Sequence, residues 1–244
     1  MPGSAAPVLI PAVLFFATLI RSAFGFGEAL VAVPLLALLM PVEVAAPVAV
    51  LVSITVALIA VIHDWHKIHL RSAGRLVLPT LLGVPLGLVM LKAVAEPVIK
   101  AALAAVVIGF SLHSLVSRRE RELKNDQLAW VFGFSAGVLG GAYGMNGPPL
   151  AIYGALRRWP PQHFRATLQA YFLPASLLGM GGYWAAGLWT PAVNRFYLIS
   201  LPFVVAATFL GRAINHRLDG RRFLRYVYWG LIAAGAMLLW QARP

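Results

Sequence analysis

Apolar residues run along this chain in blocks that short polar stretches interrupt, and the block lengths predict helices. Residues 7–20 and 29–40 are two short apolar segments on either side of the break Arg21-Ser22-Ala23-Phe24-Gly25-Phe26-Gly27-Glu28. Both fall below the ~20 residues that cross a bilayer comfortably. Residues 45–62, 76–90 and 98–116 are longer and read as spans. The same plan then recurs. Short segments at 128–139 and 150–156 flank a second break, and spans follow at 166–186, 196–210 and 226–240. No stretch alternates apolar and polar residues as a barrel strand would. The pattern therefore predicts an all-α polytopic membrane protein.

The second break is Leu139-Gly140-Gly141-Ala142-Tyr143-Gly144-Met145-Asn146-Gly147-Pro148-Pro149-Leu150. Its four glycines loosen the backbone, and its two prolines remove two amide donors. The stretch is expected to leave the helix, with the prolines starting a new one because proline fits a first helical turn. An offset of 119 carries Gly25 onto Gly144 and Pro41 onto Pro160. We therefore expect two repeats, residues 1–116 and 128–244, joined by the charged linker 117–127. Each would be a pair of short, hairpin-like helices followed by three transmembrane helices. Broken backbone at membrane depth survives only where protein buries it or a watery cavity solvates it. Two such breaks at matching places mark a binding site.

Composition agrees with the membrane reading. Of 244 residues 60% are hydrophobic and 11% charged, with a mean hydropathy of +0.81, against about a quarter charged in soluble proteins. The net charge of +12 sits in short loops beside apolar spans, which points to lipid and topology rather than nucleic acid. If each short pair returns the chain to its starting side, fifteen Lys and Arg fall on one face, in the loops 63–75, 117–127, 157–165 and 211–225. Lys92, Lys100, Arg195 and Arg243 fall on the other. The positive-inside rule makes the rich face cytoplasmic, so each repeat crosses an odd number of times and the two are inverted. Both termini would then face outward. Met1 to Ala6 lacks basic residues, which argues against a cleaved signal peptide. The chain has no cysteine, which excludes disulfide and thiolate chemistry.

Two tips entering from opposite faces would meet near the midplane and offer helix N-terminal amides to an anion. Gly144, Met145, Asn146 and Gly147 are the candidates in the second tip, Asn146 donating hydrogen bonds without charge. In the first, Arg21 and Glu28 are the ionisable residues before Pro41, and a charge at that depth is costly. Arg21 could hold an oxyanion through its bidentate fork. Glu28, at the start of the next helix, is the candidate to carry a proton during transport. The alternative is a structural pair between Arg21 and Glu28. Gly25 and Gly27 shape the first tip; Phe24, Phe26 and Tyr143 would wall the pocket, with plain core packing the equal alternative. Thr167 and Gln169 bring polar groups into a span, where they would face the cavity or another helix. Arg165 reads as a cytoplasmic anchor, and Trp65, Trp159, Trp189 and Trp240 sit at span ends as interfacial anchors do. His63, His66 and His69 lie in a wet loop and make no metal pattern. No nucleophile has a base at a recognisable spacing, and no Walker-type loop is present.

At Phe24-Gly25-Phe26-Gly27 leading to Val33-Pro34-Leu35, and again at Gly140 to Leu150, the chain resembles the sulfite exporter TauE/SafE family, also called the toluene sulfonate uptake permeases. The resemblance covers nearly the whole chain. Glu28 stands where another glycine is common, and Asn146 and the proline pair lie within the second cluster; these departures bear on substrate more than on fold. The resemblance implies a multi-pass protein of the bacterial inner membrane that moves sulfur-containing anions such as sulfite, thiosulfate or sulfoacetate. The combined expectation is a secondary transporter working by alternating access, with no cofactor and no metal. Its partners would be a small anionic substrate and membrane lipid, and a homodimer stays open. A passive anion channel is the alternative, and a membrane-embedded enzyme a weaker one, since that would need clustered acid, base or metal groups.

Overall fold

The computed structural model describes residues 6–64, 70–116, 123, 127–159, 161–214 and 220–242. Parts of the basic loops, including Trp65, Lys67, Lys124, Arg217 and the histidines at 66 and 69, lie outside the described residues, as does Pro160. The described residues form ten helices and no strand: α1 (Ala6–Phe24), α2 (Glu28–Ala37), α3 (Val42–Asp64), α4 (Leu70–Ala93), α5 (Glu96–Val116), α6 (Ala129–Tyr143), α7 (Gly147–Leu156), α8 (Pro161–Ala185), α9 (Pro191–Ile214) and α10 (Gly220–Gln241). Among the described residues, stretches of α3, α4, α5 and α9 are long and apolar enough to cross a membrane. At ~1.5 Å per residue, α2 and α7, ten residues each, reach only about halfway through the ~30 Å hydrocarbon core.

Both breaks are shorter than the sequence suggests. The first short helix does not stop at Ile20: α1 runs on through Phe24, so Arg21 occupies its last turn. The sixth helix likewise continues through Gly140 and Gly141 to Tyr143. What remains is three residues each time, 25–27 and 144–146. Gly25 (φ 89°), Gly27 (φ 100°) and Gly144 (φ 67°) turn the chain through the left-handed region, which glycine enters without a Cβ clash. The Gly25 amide closes on the Arg21 carbonyl at 2.6 Å, and the Met145 amide returns to Leu139 at 3.1 Å. Pro148 and Pro149 fall in the first turn of α7, where their missing amides cost no helical bond.

Gly140 and Gly141 stay helical because of what they touch. A Cβ on Gly141 would lie 2.2 Å from the Val84 carbonyl of α4, and one on Gly137 2.7 Å from that of Thr80. From the other side, a Cβ on Gly83 or Gly87 would meet the carbonyls of Phe134 or Val138 at 2.3 and 2.1 Å. Glycines on both helices thus let α4 and α6 pack backbone to backbone, as small-residue columns do in membranes. α1 packs along α9, α5 along α10 and α3 along α8. α3 lies deepest of the membrane-length helices, whereas most of α9 faces outward. Large apolar side chains such as Leu82, Leu198, Trp229 and Trp240 are exposed on the perimeter, where a bilayer would solvate them. Trp189 is partly exposed and donates to Asn194 at 2.6 Å. Trp159 instead turns inward, edge-on to Tyr153 with ring centres 5.5 Å apart.

Leu123 is fastened to the end of α7. The Leu123 amide donates to the Leu156 carbonyl at 2.8 Å, and Arg157 returns a bond to the Leu123 carbonyl at 2.8 Å. Leu123 therefore satisfies one of the carbonyls left open at the end of α7.

Candidate functional site

The site is built from five helices and the two breaks. Arg21 enters from the last turn of α1, and Glu28 is the first residue of α2. Ser53 comes from the middle of α3. Gln169, Phe172 and Ser176 come from α8, at a spacing that puts them on one helical face. The second break supplies Gly144 and Asn146, and the start of α7 supplies Gly147. Arg21, Gly27, Glu28, Ser53, Gly144, Asn146, Gly147 and Phe172 line one small cavity of about 20 Å³, room for about one water molecule. The two breaks, far apart in sequence, share its wall.

Arg21 and Glu28 are each 2% exposed. Arg21 Nη1 donates to Glu28 Oε2 at 2.5 Å and to Ser53 Oγ at 2.7 Å, and Nη2 donates to Gln169 Oε1 at 3.2 Å. The guanidinium carbon stands 4.7 Å from the centre of the Phe172 ring, a cation–π distance. Ser176 donates to Ser53 Oγ at 3.1 Å, extending the polar chain deeper between α3 and α8. The cation is thus held by carboxylate, hydroxyl, amide oxygen and ring face together. Two charged-group atoms are buried without a hydrogen-bond partner, Arg21 Nε and Glu28 Oε1.

The sequence candidates divide into two sets. Arg21, Gly27, Glu28, Gly144, Asn146 and Gly147 reach the cavity, and Gln169 reaches Arg21. Asn146 leans back against Gly140, where a Cβ would come within 2.5 Å of its Nδ2. That Nδ2 donates to the Tyr171 hydroxyl at 3.4 Å, and the hydroxyl pairs with Thr80 Oγ1 at 2.7 Å. Thr167, the other polar candidate on α8, is fully buried. Phe24, Gly25, Phe26, Tyr143 and Met145 are not in the cavity wall. Phe26 packs edge-on against Phe164 at 5.8 Å, Tyr143 donates to the Ile99 carbonyl of α5 at 3.3 Å, and Met145 is buried in the apolar core. Phe24 packs on that core too, and Gly25 serves the turn.

Ser53, Phe172 and Ser176 escape a sequence reading. The available signal was periodicity: counting three and seven residues on from Gln169 gives Phe172 and Ser176 on the same face. The two helix starts also differ as donors. Pro148 and Pro149 strip amides from the first turn of α7, so α2 offers the fuller set. Yet the first residue of α2 is itself an acid, whose carboxylate stands beside the one cation among the cavity-lining residues.

The family model described as sulfite exporter TauE/SafE matches residues 10–238. A relative, the probable sulfite/organosulfonate exporter TauE of Cupriavidus necator (strain H16), is 27% identical over 178 residues, which cover 72% of this chain and 68% of the relative. No solved structure matches the chain. With the match running through both breaks and every helix, the chain belongs to the sulfite exporter TauE/SafE family, a family of membrane transporters and not of enzymes.

Proposed function

We propose that this protein is a secondary transporter that carries a small sulfur-containing anion, such as sulfite, thiosulfate or an organosulfonate like sulfoacetate, across the bacterial inner membrane. The observation that carries the reading is the shared cavity. Two interrupted helices present their breaks to one hollow that also holds a buried arginine. A guanidinium beside the start of a helix suits a small oxyanion. The relative's name adds sulfite and organosulfonate to that chemical class.

Alternating access would come from two inverted repeats, residues 1–116 and 128–244. Their close packing supports this. A Cβ on Gly211 of α9 would meet the Leu19 carbonyl, Ser22 Cβ and the Ala23 amide of α1. A Cβ on Gly87 of α4 would meet the Val138 carbonyl, Gly141 Cα and the Ala142 amide of α6. The offset of 119 turns Leu19, Ser22 and Ala23 into Val138, Gly141 and Ala142. The first half's α1 therefore meets the second half's α9 as the second half's α6 meets the first half's α4.

With the cell interior negative, a monovalent anion moving alone gains about 2.3 kcal/mol per ~100 mV on leaving, so the potential favours uncoupled export and opposes uptake unless a cation or proton travels with the anion. A thermal-shift screen of the purified protein tests the reading. Sulfite, sulfate, thiosulfate, sulfoacetate, taurine and plain carboxylates would each be added. The sulfur anions are expected to raise stability by about 2.7 kcal/mol when present about a hundredfold above their Kd. Stabilisation by none of them, or by carboxylates alone, would sink the substrate class. Single-channel currents from reconstituted protein would overturn the carrier in favour of a pore.

A further inference from the structure

Resting on that transporter reading, we propose that Glu28 is a built-in competitor for the cargo. An anion then seats on Arg21 only as Glu28 takes up one proton. In the structure the carboxylate already holds the position an oxyanion would take, 2.5 Å from Arg21 Nη1. Ser53 and Gln169 occupy further donors of the same fork. The cavity beside the pair holds about 20 Å³, about one water and too little for a sulfonate group. Cargo therefore has to displace the carboxylate rather than join it.

Charge makes the displacement cost a proton. Arg21 with Glu28 is a neutral buried pair. Adding an anion would leave one uncompensated negative charge among groups that are almost fully buried, which a protein avoids by neutralising it. Among the described residues that line the cavity, Arg21 is the one cation. Of the elements packed on α2, α1 brings Arg21, α3 brings Ser53, and α7 with its break brings Asn146 and Gly147. On α3, Glu43 lies in the first turn and His63 in the last. Glu96 and Lys100 pair with each other near the start of α5, whose His113 lies in its last turn. Glu43 and Glu96 line a separate hollow of about 130 Å³ with Pro41 and Leu91. On α10, Tyr228 packs on Phe110 of α5, and Arg225 lies toward the helix start. The unpartnered Glu28 Oε1 is the atom on which the proton would sit, leaving Oε2 as a neutral acceptor that Arg21 can release.

The step balances. Ionised Glu28, one proton and one anion become the protonated acid and an Arg21–anion pair, with no net charge added by a monovalent cargo. Such a carrier moves monovalent anions without current, so the pH gradient and the anion gradient set its direction.

Titration calorimetry on the full-length protein tests this with methanesulfonate and ethanesulfonate, monovalent anions that keep their charge from about pH 5 to about pH 8, in buffers of contrasting ionisation enthalpy. One proton is expected to be taken up per anion bound, and affinity to rise about tenfold for each pH unit lowered while Glu28 is ionised. Glu28→Gln is expected to bind with a flat pH profile and no proton uptake. Wild-type binding without proton uptake overturns the competition and leaves the anion site standing. So does a Glu28→Gln protein that keeps the wild-type slope. If neither anion binds the wild type at any pH, the anion site itself fails and the competition with it. Should Glu28→Gln not fold, the buffer comparison on the wild type decides alone.

Discussion

Arg21→Ala is expected to abolish every anion-induced thermal shift and to lower stability by about 3–5 kcal/mol. Two effects combine. The substitution deletes donors to Glu28, Ser53 and Gln169 and the cation over Phe172, and it leaves a carboxylate buried without a counter-charge. Arg21→Lys keeps the charge but lacks the planar fork, so one ammonium has to choose among partners that a guanidinium reaches together. It should recover part of the stability and little of the binding. Arg21→Met combined with Glu28→Gln separates the effects. Removing both charges can be nearly neutral for stability where removing one is not, so the double variant should be clearly more stable than Arg21→Ala and still bind no anion. Thermal unfolding in detergent with and without thiosulfate measures all of these. An Arg21→Ala protein that still shifts with thiosulfate would make Arg21 a structural residue and move the site elsewhere.

The second large effect has nothing to do with charge. Gly141→Ala should cost at least the upper part of the ~1–3 kcal/mol typical of overpacking. Its new methyl would lie 2.2 Å from the Val84 carbonyl and 3.0 Å from the Leu88 amide. Both are backbone atoms, so no rotamer change relieves the clash and α4 has to move bodily away from α6. Gly87→Ala makes the reciprocal clash, 2.1 Å from the Val138 carbonyl. Because Gly87 and Gly141 face each other, separating the helices for one relieves part of the other, and the pair should cost less than its sum. Gly147→Ala is the control. Its added Cβ meets nothing within 4 Å, and its stability should stay within about 0.5 kcal/mol of wild type. The melting temperatures of the set in one detergent provide the check. Gly141→Ala melting with the wild type would mean that the helices do not approach this closely.

The glycines show where sequence reasoning reached and where it stopped. Gly144 and the proline pair were legible as punctuation, because a left-handed turn and a first-turn proline are local chemistry that one stretch of sequence contains. Gly140 and Gly141 read the same way on paper and yet sit inside a helix. Their job is set by Val84, Leu88 and Asn146, neighbours that no local window reveals. Arg21 and Glu28 stood out because ionised groups are rare in apolar segments. Ser53 and Ser176 did not, since a serine in a span is ordinary until the facing helix is known. Phe24, Phe26 and Tyr143 were open between pocket wall and packing, since proximity along the chain does not say where a ring points. Here Phe26 packs on Phe164, Tyr143 bonds the Ile99 carbonyl of α5, and Phe24 lies against the core.

The crossed pairing of α1 with α9 and of α6 with α4 has a consequence for how the protein is made. A ribosome releases α1, with Arg21 in its last turn, long before α9 and the Gln169 of α8 are synthesised. During that interval the arginine has Glu28 and Ser53 close by in the nascent chain, but not its amide partner or the groove against which its helix lies. Contacts of such wide sequence separation form late and slowly. The early helices must therefore wait in the lipid, or in the insertion machinery, until the last third of the polypeptide arrives to enclose them.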